Sequence, residues 1–90
     1  MKTNKEAFRD YLQLEKKYST HTVNAYLNDI AFFEAFIKAN FEQEGIEKVN
    51  YSQIRSWIVS LVTAEISNVS VNRKMASLKS FYRFLLKINR

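Results

Sequence analysis

The sequence predicts an all-α domain, a bundle of four helices. Three observations lead there. Apolar residues recur at alternating steps of three and four along most of the chain. The 90 residues hold one Gly and no Pro, so the breaks that a β-fold needs at every turn are missing. The helical stretches follow one another too closely for a pattern of alternating strands and helices. A chain of this length makes one domain with a thin core, burying roughly 60–65% of its unfolded surface. Its 47% hydrophobic and 14% aromatic content suits a folded globule.

The first helix opens on Thr3-Asn4-Lys5-Glu6, a capping box with Thr3 as N-cap and Glu6 reaching back. Phe8, Tyr11 and Leu12 follow at helical spacing, with Leu14 at the margin of the stripe, and the helix is expected to end near Lys17. Ser19 and Thr20 are both cap candidates for the second helix. There Val23, Tyr26, Leu27, Ile30, Phe33 and Ile37 give the longest amphipathic pattern in the chain, running to about Asn40. Residues 41–50 break the pattern and contain the Gly. They read as an acidic, exposed connection, with Phe41, Ile46 and Val49 tucked beneath it as a satellite of the core. Ser52 is expected to cap a third helix that carries Ile54, Trp57, Ile58, Leu61 and Val62 on one side and fails near Glu65. Its many β-branched residues mean that packing must support it. Ser67 or Ser70 caps a fourth helix that runs to about Ile88.

The net charge of +5 is unevenly placed. Residues 1–65 hold eight Lys/Arg against all nine acids, whereas residues 66–90 hold six Lys/Arg and no acid. Such asymmetry points to a polyanionic partner met by one element, although a solvated helix face has the same composition. The absence of Cys favours a reducing, cytoplasmic setting. Met1-Lys2-Thr3-Asn4-Lys5-Glu6 has no apolar stretch behind it, so no signal peptide is expected. No apolar run approaches the ~18 residues of a membrane span.

On an ideal helix of ~3.6 residues per turn, Val71, Met75, Leu78, Phe81, Tyr82, Leu85, Leu86 and Ile88 fall in one broad arc of the fourth helix. Arg73, Lys79, Arg83, Lys87 and Arg90 fall in the opposing arc, with Lys74 and Phe84 as misfits. Ala76 and Ser80 lie low among the cations, so another backbone can approach closely, and Ser80 is placed to bond a phosphate oxygen. Arg73 and Arg83 offer the planar fork suited to phosphate or guanine. Three partners fit such a face: nucleic acid, an anionic membrane and an acidic protein. The apolar arc is needed for the core of so small a domain, which argues against the membrane. A helix-turn-helix repressor is disfavoured by the long connection at 41–50.

Enzymatic chemistry finds little support. One His and no Cys cannot close a zinc site, and His21, between Thr20 and Thr22, has no relay partner in view. Glu42, Glu44 and Glu47 look solvated. One Gly excludes a Gly-rich phosphate loop. The five Tyr lie mostly on apolar stripes, which suits core positions better than nucleophiles. No metal, cofactor or catalytic residue is therefore assigned.

Two stretches carry a family pattern. Tyr18-Ser-Thr-His-Thr-Val-Asn-Ala-Tyr-Leu-Asn-Asp29 supplies Ser19, Thr22, Tyr26 and Asp29, followed by Ile30 and the aromatics Phe32, Phe33 and Phe36. The segment from Ile66 to Leu85 supplies Ser67, Ser70, Asn72, Arg73, Leu78, Phe81, Tyr82, Phe84 and Leu85, with Ser77 at or beside a family Ser. Together they resemble the N-terminal SAM-like, or core-binding, domain of phage-integrase and Xer-type tyrosine recombinases, across nearly the whole chain.

The resemblance implies an all-α SAM-like bundle of four or five helices, like the lambda-integrase N-terminal domain. It implies that residues 1–90 form a module that clamps one face of duplex DNA through its second and fourth helices. The site implied on the second helix is Ser19, Thr20, His21, Thr22 and Asn24, whose hydroxyls and N–H groups suit phosphate. On the fourth helix, Ser70, Asn72, Lys74 and Ser77 join Arg73, Lys79, Ser80, Arg83 and Lys87. The family often has Arg or Lys where this chain has Asn24, Leu27 and Asn28, so its second helix is the less cationic. Family chemistry, cleavage by a Tyr that forms a 3′-phosphotyrosine, belongs to a C-terminal domain expected beyond Arg90. The fragment is expected to be a monomer, and its parent a tetramer on paired DNA sites. The alternative is a helical interaction module whose basic face docks an acidic protein.

Overall fold

The computed structural model describes residues 3–89, and Arg90 of the basic arc lies outside them. Among the described residues there are four α-helices and no strand: α1 (Asn4–Asp10), α2 (Thr20–Phe41), α3 (Tyr51–Thr63) and α4 (Asn68–Asn89). The all-α, four-helix expectation holds.

Thr3 caps α1 through the anticipated box, its hydroxyl accepting from Glu6 N–H at 3.1 Å while Glu6 accepts from Thr3 N–H at 2.9 Å. The helix then widens into a π-helical turn over Tyr11–Glu15. The turn stops at Lys17, which takes a left-handed φ of 56°, and Tyr18 N–H closes it onto the Leu12 carbonyl at 3.0 Å. Ser19 caps α2 by accepting from Thr22 N–H at 3.2 Å. Ser67, not Ser70, caps α4, accepting from Ser70 N–H at 3.2 Å. The third cap differs from expectation. Asn50 holds that place in a capping box with Gln53, and Ser52 only donates to the Asn50 side chain at 2.8 Å.

The core gathers one stripe from each helix: Phe8 and Leu12; Val23, Ile30, Phe33 and Ile37; Trp57 and Leu61; Val71, Leu78, Phe81, Phe84 and Leu85. α2 and α4 make the most extensive contact of any pair. Aromatic rings lock the corners, with Phe8 edge-on to Phe81 at 5.3 Å and Phe33 tilted on Trp57 at 4.9 Å. In the 41–50 connection Ile46 is buried and Val49 half-buried as expected, while Phe41 is exposed. The Tyr82 hydroxyl donates to the Ile46 carbonyl and ties the connection to α4. Burial, with a smaller effect from Glu47 and Glu34, pushes that phenol far above its usual range, so it stays a donor.

The fourth-helix arcs need two corrections. Phe84, a misfit on the ideal wheel, is buried against Phe8 at 5.4 Å and Tyr11 at 4.9 Å. Leu86, placed in the core arc, is 76% exposed. Helix α1 and its π-turn pack on the Phe84 edge of α4 and turn the buried arc toward it, leaving Leu86 uncovered. Tyr51 (78% exposed) and Tyr18 are likewise not core residues. Among the described residues, no helix is long and apolar enough to cross a membrane.

Candidate functional site

The outer face of α4 carries Arg73, Lys79, Arg83 and Lys87, all exposed, and the whole helix contains no acid. Four residues of rise separate most neighbours, so the row extends about 21 Å from Arg73 to Lys87 at ~1.5 Å per residue. Along the lower part of the row runs a cleft of about 400 Å³. One wall is Ala76, Lys79, Ser80, Arg83 and Lys87; the other is Tyr11, Lys16, Tyr18 and Tyr26.

Local structure explains the cleft. The left-handed turn at Lys17 swings the chain so that the end of the π-turn and the start of α2 meet the same side of α4. Three phenol rings floor the junction: Tyr18 lies 5.7 Å from Tyr26, and Tyr11 lies 4.9 Å from Phe84. Ala76 and half-buried Ser80 keep it open, as their small side chains suggested. Lys87 sits over the Tyr11 ring at 4.9 Å and 3.5 Å from Glu15, and Lys16 approaches the same ring at 6.0 Å. Burial raises the Tyr26 phenol, with a further contribution from Tyr18, so the Tyr26 hydroxyl stays a neutral donor. Cations above rings beside phenol hydroxyls are groups whose chemistry suits anionic oxygen.

The predicted residues do not all share this surface. Thr20, His21 and Asn24 are exposed at the start of α2, beside Ser19 at the cap. Ser19 also donates to the Thr22 hydroxyl at 3.0 Å, so both side chains serve the cap first. The Thr22 N–H is taken by Ser19, leaving the Thr20 and His21 amides in the turn that lacks intrahelical acceptors. Ser70 is half-buried and Asn72 exposed.

Ser77 must be withdrawn from the surface set: it is 1% exposed, and its hydroxyl donates to Asp29 at 2.8 Å. Lys74 also points inward. Its ammonium lies 3.1 Å from Asp29 and 5.0 Å above the Phe32 ring, with the side chain 13% exposed. Arg73 joins them, bonding Asp29 at 3.0 and 3.3 Å with its side chain still 54% exposed. Burial pushes the Asp29 carboxyl up, but hydrogen bonds from Arg73, Ser77 and Lys74 outweigh it and hold the group below the usual carboxylate range.

Sequence reasoning missed Lys16, Tyr11, Tyr18 and Tyr26 as cleft residues. It also left Asp29 as a motif position without a role. A signal existed for Asp29: positions 26, 29 or 30, and 33 share one stripe, so a carboxylate there needs a buried partner.

The four-helix order, the Asp29 tie between α2 and α4 and the cationic row of α4 can now be set beside known proteins. The family model for the phage integrase N-terminal SAM-like domain matches residues 6–89. The chain belongs to this family. Among similar curated proteins, tyrosine recombinase XerC of Lacticaseibacillus casei is 39% identical over 83 residues, covering 92% of this chain and 28% of that protein. Tyrosine recombinase XerC of Anoxybacillus flavithermus is 42% identical over 81 residues, covering 89% and 26%. That of Listeria innocua is 42% identical over 84 residues, covering 91% and 27%. This SAM-like domain therefore spans little more than a quarter of the length of the curated relatives it matches. No solved structure matches the chain.

Proposed function

We propose that this SAM-like domain binds duplex DNA. The outer row of α4 lies on the phosphate backbone, and the first turn of α2 adds Thr20, His21 and Asn24. The observation that carries this reading is the acid-free row Arg73, Lys79, Arg83 and Lys87 beside a cleft of tyrosines and Lys16. Phosphate needs cations and neutral donors fixed on rigid elements, and a cleft between two helices supplies both. The names of the relatives support the parent protein being a tyrosine recombinase. In that reading this domain holds one face of the recombination site, and strand cleavage and rejoining belong to a different domain. The parent then works in the cytoplasm as a tetramer on paired sites, while the free domain is a monomer. None of the five tyrosines acts as the nucleophile: the three in the cleft serve as walls and donors.

The test is binding of the purified domain to a labelled duplex oligonucleotide of arbitrary sequence over a range of salt. Half of a clamp with about four phosphate contacts should bind at ~10⁻⁴ to 10⁻⁶ M near physiological salt. Each contact contributes ~0.9 to the slope of log K against log salt, so the slope should be about −4. No binding to duplex DNA, together with tight binding to an acidic protein, would replace this reading with a protein-docking one.

A further inference from the structure

Among the described residues, Asp29 is the buried acid of this domain, and it sits inside the α2–α4 contact with no role in the DNA-facing surface itself. We propose that Asp29 is a positioning residue of the DNA interface: it holds the Arg73 guanidinium in advance, in the orientation that meets a phosphate. The inference rests on the DNA-binding reading above.

The grip is side-on. Arg73 Nε donates to Asp29 Oδ2 at 3.3 Å, and Nη2 donates to Oδ1 at 3.0 Å. Those bonds use two of the five guanidinium N–H donors. Both hydrogens of Nη1 and the second hydrogen of Nη2 remain, along the end of the fork that faces away from the carboxylate. The side chain is 54% exposed, so that end stands at the surface. A free Nη1–Nη2 edge matches two oxygens of one phosphate.

The anchor is itself anchored. Ser77, buried on α4, donates to Oδ2 at 2.8 Å, and the Lys74 ammonium meets Oδ1 at 3.1 Å while resting 5.0 Å above the Phe32 ring. Asp29 is thus fixed by three side chains of the helix it serves, and one of them, Lys74, is steadied by Phe32 of Asp29's own helix. Arg73 is a long side chain with many rotamers, and binding DNA with an unanchored one would require ordering it at that moment. One carboxylate between two cations leaves the cluster net positive, so the anchor does not cancel the attraction it organises.

Two roles for Asp29 predict opposite signs. If it only joins the helices, Asp29→Asn removes a negative charge near the interface, and DNA binding tightens or stays the same. If it positions Arg73, Asn leaves the guanidinium mobile, and binding weakens despite the gain in net positive charge.

The experiment is a double-mutant cycle on the whole chain: wild type, Asp29→Asn, Arg73→Ala and the double variant, each binding a fluorescein-labelled duplex oligonucleotide of arbitrary sequence. Circular dichroism establishes that each is folded at the measuring temperature, and Arg83→Ala serves as a separate report on the DNA face. Asp29→Asn should weaken binding by about three- to tenfold, the effect of ordering one rotamer-rich side chain on association. It should have no further effect once Arg73 is Ala. In nuclear magnetic resonance spectra the wild-type Arg73 Nε–H should exchange more slowly than those of Arg55 and Arg83, and lose that protection in Asp29→Asn. Unchanged or tighter binding by Asp29→Asn, or an equal loss in the Arg73→Ala background, overturns the proposal while leaving DNA binding intact. Should Arg83→Ala bind like wild type, the DNA reading itself falls and the positioning role with it. If Asp29→Asn does not fold, Ser77→Ala decides: it removes a hydrogen bond that fixes Asp29 and leaves every cation in place, so weakened binding supports the proposal and wild-type binding overturns it.

Discussion

Helices α2 and α4 have the same length, 22 residues, and pack against each other more than any other pair, yet they use charge in opposite ways. Helix α2 carries Asp29, Glu34 and Lys38, and the first of these is buried. Helix α4 carries Arg73, Lys74, Lys79, Arg83 and Lys87 with no acid. The acid that would balance the fourth helix stands on its neighbour, inside the contact. A cationic face can then be held in place without acids of its own that would repel an anionic ligand. The difference teaches that the charges of the two helices are arranged jointly, and in the proposed reading α2 serves as the anchor and α4 as the DNA contact surface.

The largest effect is expected on the apolar side that both helices share. Leu78 is 2% exposed in the middle of α4. Leu78→Ala should destabilise the domain by ~2–5 kcal/mol through the cavity it leaves. Thermal or urea unfolding measures this, and DNA binding should be lost only in proportion to unfolding. A Leu78→Ala domain that stays fully folded and loses binding would mean that the core side of α4 is not merely structural.

The anchor comes next. Asp29→Asn leaves the largely enclosed Lys74 without its counter-ion and should cost on the order of 3 kcal/mol at neutral pH. The pH dependence sharpens this. The folded-state pKa of Asp29 lies below its unfolded value of about 3.9. Its stabilising contribution is therefore complete above that value and lost as pH falls through the folded pKa. The stability gap between wild type and Asp29→Asn should be constant from neutral pH down to about pH 5 and narrow below about pH 4. A gap that does not depend on acid would show that the carboxylate charge is not what joins the helices.

The smallest effect concerns where α2 stops. Its C-cap is Glu42, at a left-handed φ of 51° where Gly usually stands. Glu42→Gly should raise stability by up to about 1 kcal/mol, since the Cβ penalty exceeds the extra chain entropy. A lower melting temperature would show that Glu42 makes a contribution that its backbone angle conceals.

These same helices show what a sequence discloses. The four-helix bundle was legible because burial in a bundle follows the 3–4 spacing, and Val23, Ile30, Phe33 and Ile37 display it without interruption. The caps at Thr3 and Ser19 were legible because capping is local chemistry within three residues. At the start of α3, Asn50 and Ser52 are both good caps, and only the fold selects Asn50. The π-turn at Tyr11–Glu15 has no compositional mark, and three helix-ending turns use Lys17, Glu42 and Glu65 rather than Gly. The cationic row of α4 was visible on an ideal wheel. What the wheel lacked was the position of α1, which decides that Phe84 is buried and Leu86 is not. The Asp29–Arg73 pair joins residues 44 apart, beyond any local pattern.

In the proposed reading the outer row of α4 meets DNA phosphate. The most direct test is the salt dependence of duplex binding by wild type and by Arg83→Ala, a surface change that should alter stability by no more than about ±0.5 kcal/mol. The wild-type slope of log K against log salt should be about −4, and Arg83→Ala should bind more weakly with a slope less steep by about one. A folded Arg83→Ala domain with the wild-type affinity and slope would contradict that reading.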